Sequence, residues 1–227
     1  MNEAKISEIF SSFQGEGQYL GVRQVFIRFF GCSLNCTYCD TKFDKYSEYT
    51  KEELVKKVME YTVPYHSVSL TGGEPLEQVE FLKSFLPLLK MKVAKPVYLE
   101  TNGILYKSLA EIIDNVDIIA MDIKLPSSTG KGPLWEEHRK FLEIAKTKEV
   151  FVKIVITAGT KLDEVYKAKD IVMEANAKMP FIVQPVDPIG NIKEPSEKYL
   201  NEIKSALARH SSDVRVIPQH HKTWGVK

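Results

Sequence analysis

The feature that most limits the fold of this chain is a rhythm. Short apolar runs rich in β-branched and aromatic residues alternate with stretches whose apolar residues recur at helical spacing. Residues 25–30 read as a strand. Residues 50–61 read as a helix: Thr50 can cap it, Glu52 and Glu53 sit in its first turn, and Leu54, Val55 and Val58 make its apolar face. The alternation continues with strands over 67–70, 96–100, 117–121, 150–156, 181–184 and 214–217. Helices over 76–89, 105–113, 134–147, 162–176 and 196–208 fall between them. Six βα units and a final strand imply parallel pairing with right-handed crossovers. A complete eightfold barrel takes about 250 residues, and this chain has 227. The expected fold is α/β, an incomplete (β/α)6-type parallel barrel with a short C-terminal extension; an open doubly wound sheet is the alternative. No low-complexity linker divides the chain, so residues 1–227 are expected to form one domain.

The strands end in unusual residues. The first runs into Gly31-Cys32, the second into Thr71-Gly-Gly-Glu-Pro75, the third into Glu100-Thr-Asn-Gly103 and the fourth into Asp122-Ile-Lys124. The sixth ends Gln184-Pro-Val-Asp187 and the last Pro218-Gln-His-His221. In parallel α/β folds the site lies at the carboxyl ends of the strands.

Composition excludes other classes of function. Lys and Arg number 31 against 30 Asp and Glu, a formal net charge of +1, so the chain carries no overall basic footprint for nucleic acid. No apolar run approaches the ~18 residues of a membrane span. Residues 1–8 include two glutamates and no apolar core of a secretory signal. A cytoplasmic chain with no nucleic-acid or membrane partner is expected.

The three cysteines, Cys32, Cys36 and Cys39, fall within Gly31-Cys-Ser-Leu-Asn-Cys-Thr-Tyr-Cys-Asp40. An odd, clustered set argues against a disulfide framework. Thiolates are the ligands of iron–sulfur clusters, and a cubane ordinarily takes four. Three on one loop can hold three irons and leave the fourth open to a small molecule. A zinc knuckle is the bland alternative, but structural zinc wants a fourth Cys or His at short spacing. The nearest histidine, His66, follows Cys39 by 27 positions, and no second cysteine pair exists.

This C-x3-C-x2-C spacing, with Tyr38 before the third cysteine, resembles the radical S-adenosylmethionine (SAM) superfamily. Thr71-Gly-Gly-Glu-Pro75, after the second strand, matches that family's Gly-Gly-Glu loop, whose glycines let backbone approach a ligand closely. The resemblance implies a 4Fe-4S cluster on the three cysteines, and SAM chelated at the open iron and cleaved by one electron to a 5′-deoxyadenosyl radical. Gly73 would contact SAM. Asp122, Ile123 and Lys124, with Gln184, Pro185, Val186 and Asp187, fall where the family holds the adenosyl part; Asp122-Ile123 departs from its usual Ser-Pro.

A narrower resemblance runs through Ile9-Phe-Ser-Ser-Phe-Gln-Gly-Glu-Gly17, Arg28 and Cys39-Asp-Thr41, and is to the 7-carboxy-7-deazaguanine synthase family. It implies a lyase that contracts 6-carboxy-5,6,7,8-tetrahydropterin to 7-carboxy-7-deazaguanine with loss of ammonia, SAM being regenerated, in deazapurine (queuosine- or archaeosine-type) biosynthesis. By that resemblance Phe13, Gln14 and Gly15 line the pterin, with Glu16 as a further contact. Arg28 pairs with the substrate carboxylate, which a planar guanidinium suits; a surface arginine on an edge strand is the alternative. Thr41 would ligate Mg²⁺, a hard cation that keeps waters and substrate oxygens, unless it is a simple turn cap. Thr71 would touch substrate, and Glu100 would be the acid beside the reacting carbon. His221, with His220 competing, and the main chain of Lys227 would reach the pterin. Trp224 reads as packing for the tail. Relatives imply a homodimer and a one-electron donor such as flavodoxin or ferredoxin. Two rival functions share the cysteines: a glycyl-radical activating enzyme, against which the Gln14-Gly-Glu-Gly17 segment argues, and a non-catalytic iron–sulfur or zinc scaffold.

Overall fold

The computed structural model describes residues 3–41, 44–208 and 213–220. Its nine strands form one sheet: β1 (Glu3–Phe13), β2 (Arg23–Phe29), β3 (Ser47–Thr50), β4 (Ser67–Gly72), β5 (Val97–Thr101), β6 (Ile118–Asp122), β7 (Glu149–Ile156), β8 (Phe181–Pro185) and β9 (Val214–Val216). Their order is β3-β1-β2-β4-β5-β6-β7-β8-β9. From β2 onward every neighbour is parallel. The crossovers are helical: α1 (Lys51–Met59), α2 (Val79–Val93), α3 (Tyr106–Ile112), the short α4 (Pro126–Thr129), α5 (Trp135–Ala145), α6 (Leu162–Asn176) and α7 (Glu197–Ala208). This is the mixed α/β architecture that the alternation implies.

The start of α1 follows its sequence signal. Thr50 Oγ1 accepts from the Glu53 N–H at 3.3 Å and Glu53 accepts from the Thr50 N–H at 2.9 Å, a complete capping box on α1.

Two strands go beyond the sequence reading. β3 and β1 extend the sheet antiparallel at the β2 edge. A bulge between Ile6 and Glu8 disguises β1. Ala4 and Ile6 face the helix-side core, but past the bulge it is Ile9 that faces it, while Phe10 turns to the other side and stacks on Phe26 at 5.0 Å. A one-residue insertion thus flips the period-2 pattern in mid-strand.

The pleat sorts the parallel strands into two faces. Val25, Ile27, Phe29, Val68, Leu70, Leu99, Met121, Val152, Ile154 and Val183 face outward and bury against the helices in one core. The inner face carries a small apolar floor of Tyr98, Ile118, Phe151 and Ile182, on which Tyr19 packs. Above that floor, residues from β1 through β8 line a cavity of about 400 Å³. Among the described residues no helix is long and apolar enough to cross a membrane.

Candidate active site

The cysteine loop follows β2 and lies between two shoulders. On one side, the loop after β4 grips its start. Gly73 donates to Phe29 O at 3.0 Å and Glu74 N to Gly31 O at 2.9 Å. A Cβ at Gly73 would fall 1.7 Å from Gly31 O, so only glycine allows this approach. Ser33 N donates to Glu77 at 2.7 Å. On the other side, Thr37 donates its N–H to Thr129 O at 3.1 Å and its hydroxyl to Ser128 O at 2.9 Å. Lys124 Nζ reaches Tyr38 Oη at 3.2 Å and Asp122 at 2.8 Å.

All three cysteines are free thiols and line the cavity. Burial pushes the Cys36 thiol up to about 11, the Lys124 ammonium pulling against it, and burial also raises Cys32. Binding a metal there means displacing protons. Among the described residues no three Cys, His, Asp or Glu groups converge as a ready-made site for a single ion.

Each shoulder is propped from behind. Glu74 is buried and accepts from Leu76 N, Asn102 N and Thr101 Oγ1 at 2.8 to 3.1 Å. Burial raises its carboxyl to about 7 despite those donors. His138, fully buried on α5, donates Nδ1–H to Gly103 O at 3.0 Å and accepts the Lys124 N–H on Nε2 at 3.1 Å. Burial lowers it to about 4, so the imidazole is neutral. Glu164 of α6 accepts from Ser127 N and Oγ at 2.8 and 2.6 Å, anchoring α4.

Glu100 sits at the centre of the inner face. It accepts from Gln14 Nε2 at 2.7 Å, Thr71 Oγ1 at 2.8 Å and Ser69 Oγ at 3.3 Å. The Gln14 amide is itself oriented, giving its other N–H to Gln24 Oε1 at 3.1 Å, and Gln24 donates to Ser67. Arg28 lies beside this group, half-buried. Its Nε is 3.4 Å from the Glu8 carboxylate and its Nη1 3.5 Å from Thr41 Oγ1. These contacts are long, and the fork keeps donors for an anion. The edge-strand alternative for Arg28 falls, because β2 lies between β1 and β4.

The cavity therefore gathers Phe13, Gln14, Gly15, Arg28, Thr41, Thr71, Gly73 and Glu100 with the cysteines. Asp122, Lys124, Gln184 and Val186 also line it. Ile123 does not: its side chain is in the helix-side core and its N–H is bonded to Lys153 O. Pro185 and Asp187 lie off the cavity as well, as strand alternation requires of Pro185. His221, Trp224 and Lys227 lie outside the described residues. His220 is near the site, its N–H donating to Gly15 O at 2.9 Å.

Sequence reasoning missed Lys153 and Gln219, which both line the cavity. Lys153 contacts Glu16 and lies 3.8 Å from Asp122; Gln219 donates to Glu16 at 2.7 Å. The available signal was a lone lysine inside the apolar run Val-Phe-Val-Lys-Ile-Val-Ile of β7. A donor set of three thiols fits an iron–sulfur group. A polar organic ligand fits the cavity too, because Asp122 and Gln184 each keep one buried side-chain oxygen without a hydrogen-bond partner.

The chain is also similar to known proteins. Residues 26–171 match the family model described as the radical SAM superfamily. A protein of Geobacter sulfurreducens named 7-carboxy-7-deazaguanine synthase is 39% identical over 246 aligned positions, covering 98% of this chain and 97% of its own. A Methanocaldococcus jannaschii protein of the same name is 33% identical, covering 97% and 99%. The crystal structure of QueE from Escherichia coli superposes with a TM-score of 0.66 at 19% identity, over 94% of this chain and 93% of that one. The structure of tagged anSMEcpe with bound AdoMet gives 0.57 at 20% identity, over 82% and 60%. Both bear on the fold.

Proposed function

The chain belongs to the radical SAM superfamily and, within it, to the 7-carboxy-7-deazaguanine synthase family, and from that membership we propose that it converts 6-carboxy-5,6,7,8-tetrahydropterin to 7-carboxy-7-deazaguanine with release of ammonia. One observation carries this reading. A single cavity of about 400 Å³ holds three thiols, an arginine with donors to spare and a fully oriented carboxylate. The curved parallel part of the sheet is read as the incomplete (β/α)6-type barrel, and residues 1–227 as one domain built around it.

Cys32, Cys36 and Cys39 would hold a 4Fe-4S cluster, which with bound SAM would supply the one-electron chemistry for taking a hydrogen atom from the pterin. The chain's own residues do the rest. Arg28 receives the substrate carboxylate and fixes which ring carbon faces the cysteines. Glu100, turned by Gln14, Ser69 and Thr71, places an acceptor beside that carbon and can hold or return a proton. Thr41 offers a hydroxyl oxygen for Mg²⁺ next to the same carboxylate. The unpartnered oxygens of Asp122 and Gln184 accept from ribose hydroxyl and adenine amino donors of SAM, and Lys124 neutralises the negative charge around Asp122. Gln219 and His220 tie the C-terminal segment to residues 15 and 16, which shields the pterin side from water. A homodimer in the cytoplasm, reduced by flavodoxin or ferredoxin, is what membership of this family implies.

The test is anaerobic reconstitution, then incubation with dithionite, SAM and the carboxypterin, read by mass spectrometry. Expected are about four iron and four sulfide per chain and the deazaguanine product with SAM regenerated. Zinc without sulfide, or SAM cleaved with no change in the pterin, refutes the reading.

A further inference from the structure

We propose that Lys153 is a substrate-positioning residue, its ammonium locking the Glu16 carboxylate on the pterin side of the cavity; this rests on the pterin reading above.

Lys153 stands in the middle of β7, where its neighbours are apolar. Its side chain is only 17% exposed and lines the cavity. A lysine in such a place is costly unless its charge is matched. Two carboxylates match it. Glu16 Oε2 is in direct contact, and Asp122, its register partner on β6, lies 3.8 Å away. Burial pulls the ammonium down, but Glu16 and Asp122 more than offset this and raise it to about 12. It is a permanent cation.

Asp122 has its own cation, Lys124, at 2.8 Å. Glu16 has Lys153 on one oxygen and the Gln219 amide at 2.7 Å on the other. Glu16 also sits between two glycines, in a segment with little stiffness of its own. β7 supplies what that segment lacks. Phe151, two residues before Lys153 on the same face, packs so closely under Gly17 that a Cβ there would fall 2.7 Å from its ring. Phe151 thus seats the glycine and Lys153 holds the glutamate.

A carboxylate accepts on both oxygens, and Lys153 and Gln219 fix how Glu16 presents its own to the cavity. The ligand chemistry that meets it is a row of N–H donors, such as the amino-pyrimidinone edge of a pterin. Lys153 does not touch that ligand; it acts through Glu16. Removing its charge should harm the pterin side and spare the SAM side, where Lys124 remains.

The experiment uses reconstituted holoenzyme under anaerobic steady-state conditions. For Lys153→Met the KM for the carboxypterin should rise about tenfold or more. KM for SAM, and SAM cleavage by dithionite without pterin, should stay within about threefold. Lys153→Arg should restore most of the pterin KM. In a Glu16→Gln background, Lys153→Met should add little further, because the partner is already gone. That double variant removes both charges of the pair and reports even if the single one folds poorly. An unmoved pterin KM alongside a reduced kcat and thermal midpoint would make Lys153 a structural prop and overturn the proposal. So would additive effects in the Glu16→Gln background, or equal losses for SAM and pterin. Failure of the wild-type holoenzyme to turn over the carboxypterin is a separate result, and it removes the substrate reading itself.

Discussion

The two shoulders of the cysteine loop do the same job by different physics. The Gly72–Glu74 side works through backbone: Gly73 lies where no side chain fits, and main-chain N–H groups of 73 and 74 bond the main chain of 29 and 31. The Lys124–Thr129 side leans on side chains: the Thr37 hydroxyl and Lys124 add to one main-chain bond from Thr37 N to Thr129 O, while His138 and Glu164 prop them from two separate helices. A backbone grip is rigid and fails all at once. A side-chain grip is spread over several modest bonds and fails by degrees.

The largest expected effect tests the rigid side. Gly73→Ala places a methyl group 1.7 Å from Gly31 O, and backbone cannot yield that far. Stability should fall by about 3 kcal/mol or more, read as a denaturant midpoint, with iron per chain far below four. A variant that keeps a full cluster would show that this grip is dispensable.

The buried props differ in sign, and pH separates them. The fold prefers Glu74 protonated, with its carboxyl at about 7 against 4.5 ordinarily. Its contribution is complete below about 4.5 and is lost as pH rises through about 7. The fold prefers His138 neutral, at about 4 against 6.5 ordinarily. Its contribution is complete above 6.5 and is lost as pH falls through about 4. Each gap corresponds to about 3 kcal/mol. Midpoints measured from pH 4 to 8 should therefore fall on both sides. Glu74→Gln should flatten the alkaline limb and His138→Gln the acid limb. A limb unchanged in its own variant would assign that slope to other groups.

The same contrast explains what is legible in the sequence. A backbone grip demands glycine, and glycine at a strand end is visible, so Thr71-Gly-Gly-Glu-Pro75 and the cysteines can be read directly. Strands β2 and β4 to β9 are visible too, since each buries a face in a local, regular period. The rest depends on partners far along the chain. Lys124 stands out as a charge at a strand end, but its neighbour Ile123 does not share its place, because alternation at the end of β6 turns that side chain into the core. His138 and Glu164 look like ordinary polar positions on amphipathic helices; only packing brings His138 to Gly103, 35 positions away, and Glu164 to Ser127, 37 positions away. β1 is hidden by its bulge, and α4 is too short to show a period.

The smallest expected effect is the most telling one for the spread grip. Thr37→Val keeps the shape of the side chain and removes one hydroxyl donor, leaving the Thr37 N–H bond to Thr129 O in place. Thr37 is exposed and loses one neutral hydrogen bond, so the stability cost should be about 1 kcal/mol. Thr37 lies between Cys36 and Cys39, so the loss should appear at the loop before it appears in the fold. Iron release to an external chelator should quicken about threefold, the rate equivalent of about 0.7 kcal/mol, while the denaturant midpoint barely moves. If Thr37→Val sheds iron as fully as Gly73→Ala, the side-chain shoulder is as brittle as the backbone one. If neither variant changes the release rate, the cluster is held by its thiolates alone and both shoulders serve only the fold.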